Sequence, residues 1–127
     1  MKFKANILLK IIVVAFLTGC VGPLVPVLDL ANIDSQELQA SQRMQIYMKG
    51  DKPPLGYKEV GSIQAWSCKN KTWEPPATKE NAIKQLKLVA YRQDATAIMD
   101  IEFGNHGTSL STNCWSSVLV VGMAIKY

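Results

Sequence analysis

Hydrophobic and polar positions change period several times along the chain, and each change marks an element. Met44, Ile46 and Met48 alternate with Gln45 and Tyr47, the period of two expected of a half-buried strand. Gly50-Asp51-Lys52-Pro53-Pro54 is turn chemistry. Residues 57–66 predict a second strand in which Gly61 marks a bulge or a close approach. Residues 69–78 form a polar loop closed by Pro75-Pro76. The period then lengthens: Ala82, Ile83, Leu86, Val89 and Ala90 recur at helical spacing and predict a helix over 79–93. Thr78 is placed to cap it. Asp94 stands where it should stop, a residue that tolerates the left-handed conformation better than most.

Alternation returns over 97–103, with Met99, Ile101 and Phe103 against Asp100 and Glu102. Residues 104–113 predict a loop with two glycines in which Leu110 is the one core candidate. Residues 116–125, around Val118-Leu119-Val120-Val121, are apolar on both faces and predict a central strand. The order β-β-α-β-β predicts an α+β fold, a four-stranded sheet with one helix packed on a face.

The chain begins differently. A basic start, Met1-Lys2-Phe3-Lys4, leads into an apolar run over 7–17 broken only by Lys10, and then Leu17-Thr18-Gly19-Cys20. A basic segment, an apolar core and a small-residue cleavage site make a secretory signal. The run falls short of the roughly 20 apolar residues that span a bilayer as a mature helix. Its last four residues resemble the bacterial lipobox, which implies diacylation of the Cys20 thiol, cleavage before Cys20 and acylation of the new amine. The alternative is an ordinary signal with a chance Cys. Two acyl chains already give stable attachment, since each buried methylene contributes about 0.8 kcal/mol. By the enterobacterial sorting rule, Asp after the lipidated Cys retains a lipoprotein in the inner membrane. Val21-Gly22 here favours the outer membrane, with the domain in the periplasm.

This divides the chain into a signal peptide over 1–19, a lipidated Cys with a tether over 20–42, and a periplasmic domain over 43–127. Pro23 and Pro26 keep the first part of the tether extended, and Asp34 with Glu37 three residues on predicts a short capped turn. Fully extended, residues 21–42 reach about 70–75 Å.

Composition agrees with a folded chain: 48% of the 127 residues are hydrophobic and 19% charged, which excludes wholesale disorder. The net charge of +4 is misleading, because three of the fourteen Lys and Arg, and no Asp or Glu, lie in the first twenty residues. The remainder is nearly neutral and offers no electrostatic footprint for nucleic acid. With Cys20 consumed by lipid, Cys68 and Cys114 remain in an oxidising compartment, where disulfides persist. A Cys68–Cys114 bridge is expected. A metal pair and a redox pair are the alternatives, although one histidine and no C-x-x-C make poor material for either.

Catalytic signatures are sparse. His106 stands between Asn105 and Gly107 and reads as a solvated loop residue. No G-x-S-x-G, P-loop or H-E-x-x-H occurs. Asp100 and Glu102 are expected on one exposed strand face, as a solvated pair. Trp66, Trp73 and Trp115 cluster around the cysteines in sequence. Trp66 and Trp115 are expected to cover the disulfide, and Trp73, in a polar loop, is the candidate partner contact. Lys69, Lys71, Lys79, Lys84 and Lys87 make at most a modest basic face.

Several segments, in order, resemble the RcsF family, outer-membrane lipoproteins that sense envelope stress for the Rcs phosphorelay. They are Met44-Gln45-Ile46-Tyr47, Lys52-Pro53, Tyr57-Lys58-Glu59-Val60-Gly61, Ser67-Cys68, Asp94-Ala95-Thr96-Ala97-Ile98, Cys114-Trp115 and Gly122-Met123-Ala124. The last pieces also look like the wider YbjQ-type heavy-metal-binding fold. The resemblance implies a small periplasmic α+β domain with no catalysis and no cofactor. It implies signalling by contact with outer-membrane β-barrel proteins, their assembly machinery and an inner-membrane regulator.

Cys68 and Cys114 match a bonded pair of the family's four cysteines. The other two are missing, with residues such as Glu102 and Val121 near their places. The family's tether is polar and basic, whereas residues 21–30 here are mostly apolar. A structural docking module without signalling, or a small-ligand or metal binder of the wider fold, are the other functions the sequence leaves open. The lipidation reading has a direct check. Cys20→Ala should leave the precursor unprocessed or move the protein from the membrane pellet to the soluble fraction, and unchanged processing and pelleting would contradict it.

Overall fold

The structure, a computed structural model, describes residues 28–73, 76–108 and 113–127; the side chains of Asn105 and His106 are outside that description. The signal peptide, Cys20, the first part of the tether and Leu110 also lie outside it.

The elements follow in chain order as a 3-10 turn (Leu30–Asn32), α1 (Ser35–Gln42), β1 (Gln45–Met48), β2 (Lys58–Lys69), α2 (Lys79–Arg92), β3 (Ala97–His106) and β4 (Ser116–Lys126). The helix boundaries have local causes. The Asp34 carboxylate accepts the backbone N–H groups of Gln36 and Glu37 at 2.9 and 3.0 Å, satisfying two donors that the first turn leaves open. Thr78 Oγ1 does the same for α2, accepting from the Asn81 N–H at 3.1 Å. Asp94 adopts φ 60° and ends α2. The N–H groups of Asp94 and Ala95 donate back to Tyr91 and Ala90, the hydrogen-bond pattern of a Schellman cap.

The four strands form one mixed sheet in the order β1-β3-β4-β2. β4 is central and antiparallel to both β2 and β3, while the edge strand β1 runs parallel to β3. β2 and β3 are therefore parallel, with β4 between them, and α2 carries the chain across one face. The face that α2 covers brings together Ile63, Ala65, Val118, Val120, Ala124, Ile98 and Ile101 with Ala82, Leu86 and Ala90. This is the α+β architecture expected, with β4 in the middle as its two-sided apolar run requires.

Helix α2 buries more than the one stripe, taking in Gln85 and Leu88, because a second helix packs on it. α1 lies within the stretch read as tether. The Glu37 carboxylate accepts from Arg92 Nε at 2.7 Å and Nη2 at 3.2 Å. Lys87 Nζ donates to the Gln42 carbonyl at 3.0 Å, and Gln42 Nε2 to that of Lys84 at 3.2 Å. The Arg92 guanidinium holds the Glu37 carboxyl below its usual pKa. The stabilisation from this pair is complete above the ordinary Glu pKa and fades as pH falls through the lowered value.

One strand detail settles an open expectation and two depart from the sequence pattern. Gly61 follows a bulge at Val60, where the register with β4 shifts, and space around Gly61 is open, so the bulge and not a close approach explains it. In β3 an extra residue intervenes between Met99 and Glu102, and Asp100 takes φ 53°. The inserted residue reverses the alternation. Ile98 and Ile101, three apart, both enter the core, and Met99 leaves the apolar row expected of it. β3 also continues through Gly104 to His106, residues expected in a loop.

At Gly122 the absent side chain leaves no room between the sheet and Leu86 of α2 for anything larger. A Cβ built there would stand 2.8 Å from Ile98 Cγ2 and 3.5 Å from Leu86 Cδ2. Gly122→Val should therefore destabilise the fold by about 1–3 kcal/mol, read as a lowered urea midpoint, since overpacking forces neighbours off their rotamers. An unchanged midpoint would show that this contact can relax freely.

Candidate functional site

Cys68, Cys114 and Trp115 meet at one end of the sheet. Cys68 closes β2 and Cys114 precedes β4, and because these strands pair antiparallel the two Cα atoms lie 5.4 Å apart and the sulfurs are bonded. The expected bridge is present. Around it the strand ends are pinned by backbone bonds. The Trp115 N–H donates to the Lys69 carbonyl at 2.7 Å. The Gly107 N–H donates to the Ser117 carbonyl at 3.2 Å, and Ser117 Oγ to the Gly107 carbonyl at 2.7 Å. Thr108 Oγ1 donates to the Trp115 carbonyl at 3.3 Å.

The three tryptophans separate. Trp66 is half-buried in β2, in register with Leu119. Trp73 is 82% exposed, as its polar loop suggests. Trp115 is 56% exposed, which corrects the expectation that it covers the disulfide. Successive residues of an extended chain point to opposite sides, and Cys114, 1% exposed, takes the inward one.

Beside the disulfide lies an open cavity of about 510 Å³ between the start of α2, the end of β2 and the segment Leu28 to Ala31. Its floor is polar and satisfied. Ser67 Oγ accepts from the Thr78 N–H at 3.1 Å and from Asn81 Nδ2 at 3.0 Å. Gln85 Oε1 accepts the Leu28 N–H at 3.2 Å. Gln85 and Ser67 are buried. Neither was singled out from the sequence. The available signal was that Gln85 sits three residues from both Ala82 and Leu88, inside the buried side of the helix. Such a site can order chain segments and bind through amide and hydroxyl groups.

The remaining candidates do not join it. Asp100 and Glu102 are both exposed, as the solvated-pair reading expects; a bulge at Asp100 lies between Met99 and Glu102, and Glu102 pairs with Lys49. Glu102 raises the Lys49 pKa through that hydrogen bond. His106 lies in β3 opposite Val118. The five lysines are engaged differently. Lys79 Nζ stands 4.9 Å over the Phe103 ring, and Lys87 is tied to α1, its pKa lowered by burial. Among the described residues no group of three or more His, Cys, Asp or Glu is arranged to hold a metal ion, and no helix is long and apolar enough to cross a membrane.

No family model matches the chain, and no curated protein matches its sequence. The exposure of the two tryptophans gives a check on the site's geometry. Trp73→Ala and Trp115→Ala should each change stability by less than about 0.5 kcal/mol, as surface substitutions do, whereas Trp66→Ala should lower the melting temperature clearly. A large loss at Trp115 would return that residue to the core.

Proposed function

We propose that the chain is a non-enzymatic lipoprotein of the outer membrane, anchored through Cys20, whose periplasmic domain acts as an RcsF-like envelope-stress sensor or signalling adaptor by protein contact. The observation that carries this reading is where the resembling segments fall. Met44-Gln45-Ile46-Tyr47 leads into and through β1, and Tyr57-Lys58-Glu59-Val60-Gly61 opens β2 across its bulge. Asp94-Ala95-Thr96-Ala97-Ile98 is the helix cap and the start of β3, and Gly122-Met123-Ala124 is the part of β4 that meets Ile98. The segments that carry the likeness are thus those that shape one sheet and its helix. Together with the lipobox they support a tethered module whose partners are outer-membrane β-barrel proteins and an inner-membrane regulator. Signalling would be a change of partner as the envelope changes, with lipid setting the location and the disulfide the shape.

A second reading, a structural docking module of an envelope complex, is favoured by one observation. β2 is twelve residues long and lies at the sheet's edge, paired on one side only among the described residues. Transcription separates the two. Overexpression of the wild-type chain should switch on envelope-stress genes, and deletion should blunt their response to envelope damage. Unaltered transcription in both strains would reject the sensor and leave the docking module.

A further inference from the structure

Two exposed tryptophans and the entry point of the chain occupy the same end of the domain. Trp115 is hydrogen-bonded through its backbone to Lys69, next to Cys68, and Trp73 follows two residues after Lys71, which lines the same cavity as Cys68. Leu28 and Asp29 line the cavity at that end together with Cys68, Asn70 and Lys71, and Gln85 holds the Leu28 N–H.

Cys20 precedes Leu28 by eight residues, and eight residues reach at most about 26–29 Å. A domain of about a hundred residues has a radius of gyration near 13 Å and so measures about 34 Å across, more than that leash can reach. A lipid on Cys20 would therefore prevent the domain from inverting and favour the tryptophan end towards the bilayer. The intervening residues, Val21-Gly22-Pro23-Leu24-Val25-Pro26-Val27, carry no charge, and four of the seven are Val or Leu. Tryptophan combines a large apolar body with one N–H donor, and for that reason it gathers at membrane–water interfaces. Exposed Lys71 and half-buried Lys69 add long apolar stems with cationic heads, which suit the same layer.

We propose that the Trp73–Trp115 end is a membrane-docking surface, resting in the headgroup layer of the bilayer that holds the Cys20 lipid. This rests on the lipidation reading and deepens it, because it gives the anchored domain a fixed orientation. The opposite end, with the α2 C-terminus, Asp94 paired to Lys126, and exposed Tyr91 and Tyr127, then faces the periplasm and its partners.

The test uses the full processed, lipidated protein in vesicles of phosphatidylethanolamine and phosphatidylglycerol, with and without bromine on the acyl chains near the headgroups. Bromine quenches only tryptophans within contact range. The wild type should lose up to about two-thirds of its emission in brominated vesicles, as two interfacial tryptophans of three would give, and Trp73→Phe/Trp115→Phe, which keeps Trp66 alone, should lose little. Equal quenching of the two proteins, while both float with the vesicles, would overturn the docking surface, leave lipidation standing and assign the pair to a protein partner. Failure of the processed wild type to float with vesicles would remove the anchor itself, and the docking surface with it.

Discussion

The bond between Cys68 and Cys114 joins the end of β2 to the approach to β4, and the arrangement of that end of the domain depends on it. The two cysteines are 46 residues apart in sequence, and everything that crosses the sheet, including α2 and β3, lies inside the loop they close. In the chain-entropy account a loop of this size contributes about 4 kcal/mol by restricting the unfolded chain. A domain is stabilised by about 5–15 kcal/mol in all, so this one constraint is a large share. It also decides exposure. Holding Cys114 inward sets Trp115 outward, and the Trp115–Lys69 backbone bond then draws the start of the Trp73 loop to the same place.

On the covered face, packing is set by one missing side chain. Gly122 in the central strand lets Ile98 and Leu86 meet over it, so the crossover helix lies close on the sheet. The bulge at Asp100 serves the same contact from the neighbouring strand, since it turns both Ile98 and Ile101 towards the helix. Where the helix passes the end of β2, apolar packing gives way to Ser67, Asn81 and Gln85, whose polar groups are paired with one another and with the entering chain. The domain thus grips the segment that enters at Leu28 through hydrogen bonds of its own interior, and α1 is held in the same way through Glu37 and Arg92.

For an anchored protein this geometry has a consequence. A domain held by a long free tether samples every orientation, whereas under the proposed lipidation of Cys20 the grip on Leu28 would lie only eight residues from the anchor and narrow that range. The proposed sensor would present the same end to its partners at all times, and a change of partner would then follow changes in the membrane it rests on.

Much of this was legible in the sequence because it depends on neighbours along the chain. Caps act within one helical turn, so Asp34, Thr78 and the left-handed Asp94 could each be placed from local residue types. The doubly apolar run of β4 required a central strand whatever its partners, and the pairing of Cys68 with Cys114 was expected from their number once a secretory signal was read at the start of the chain. What the tertiary structure alone decided concerns residues whose environment comes from distant parts of the chain. The bulge in β3 depends on the register with β4 and reassigns Met99 and Ile98. The outward turn of Trp115 depends on the disulfide geometry. The burial of Gln85 depends on Leu28, 57 residues away, supplying its partner. Periodicity reports which residues could share a face, but strand order and register decide which faces meet, and they are set only when the whole sheet closes.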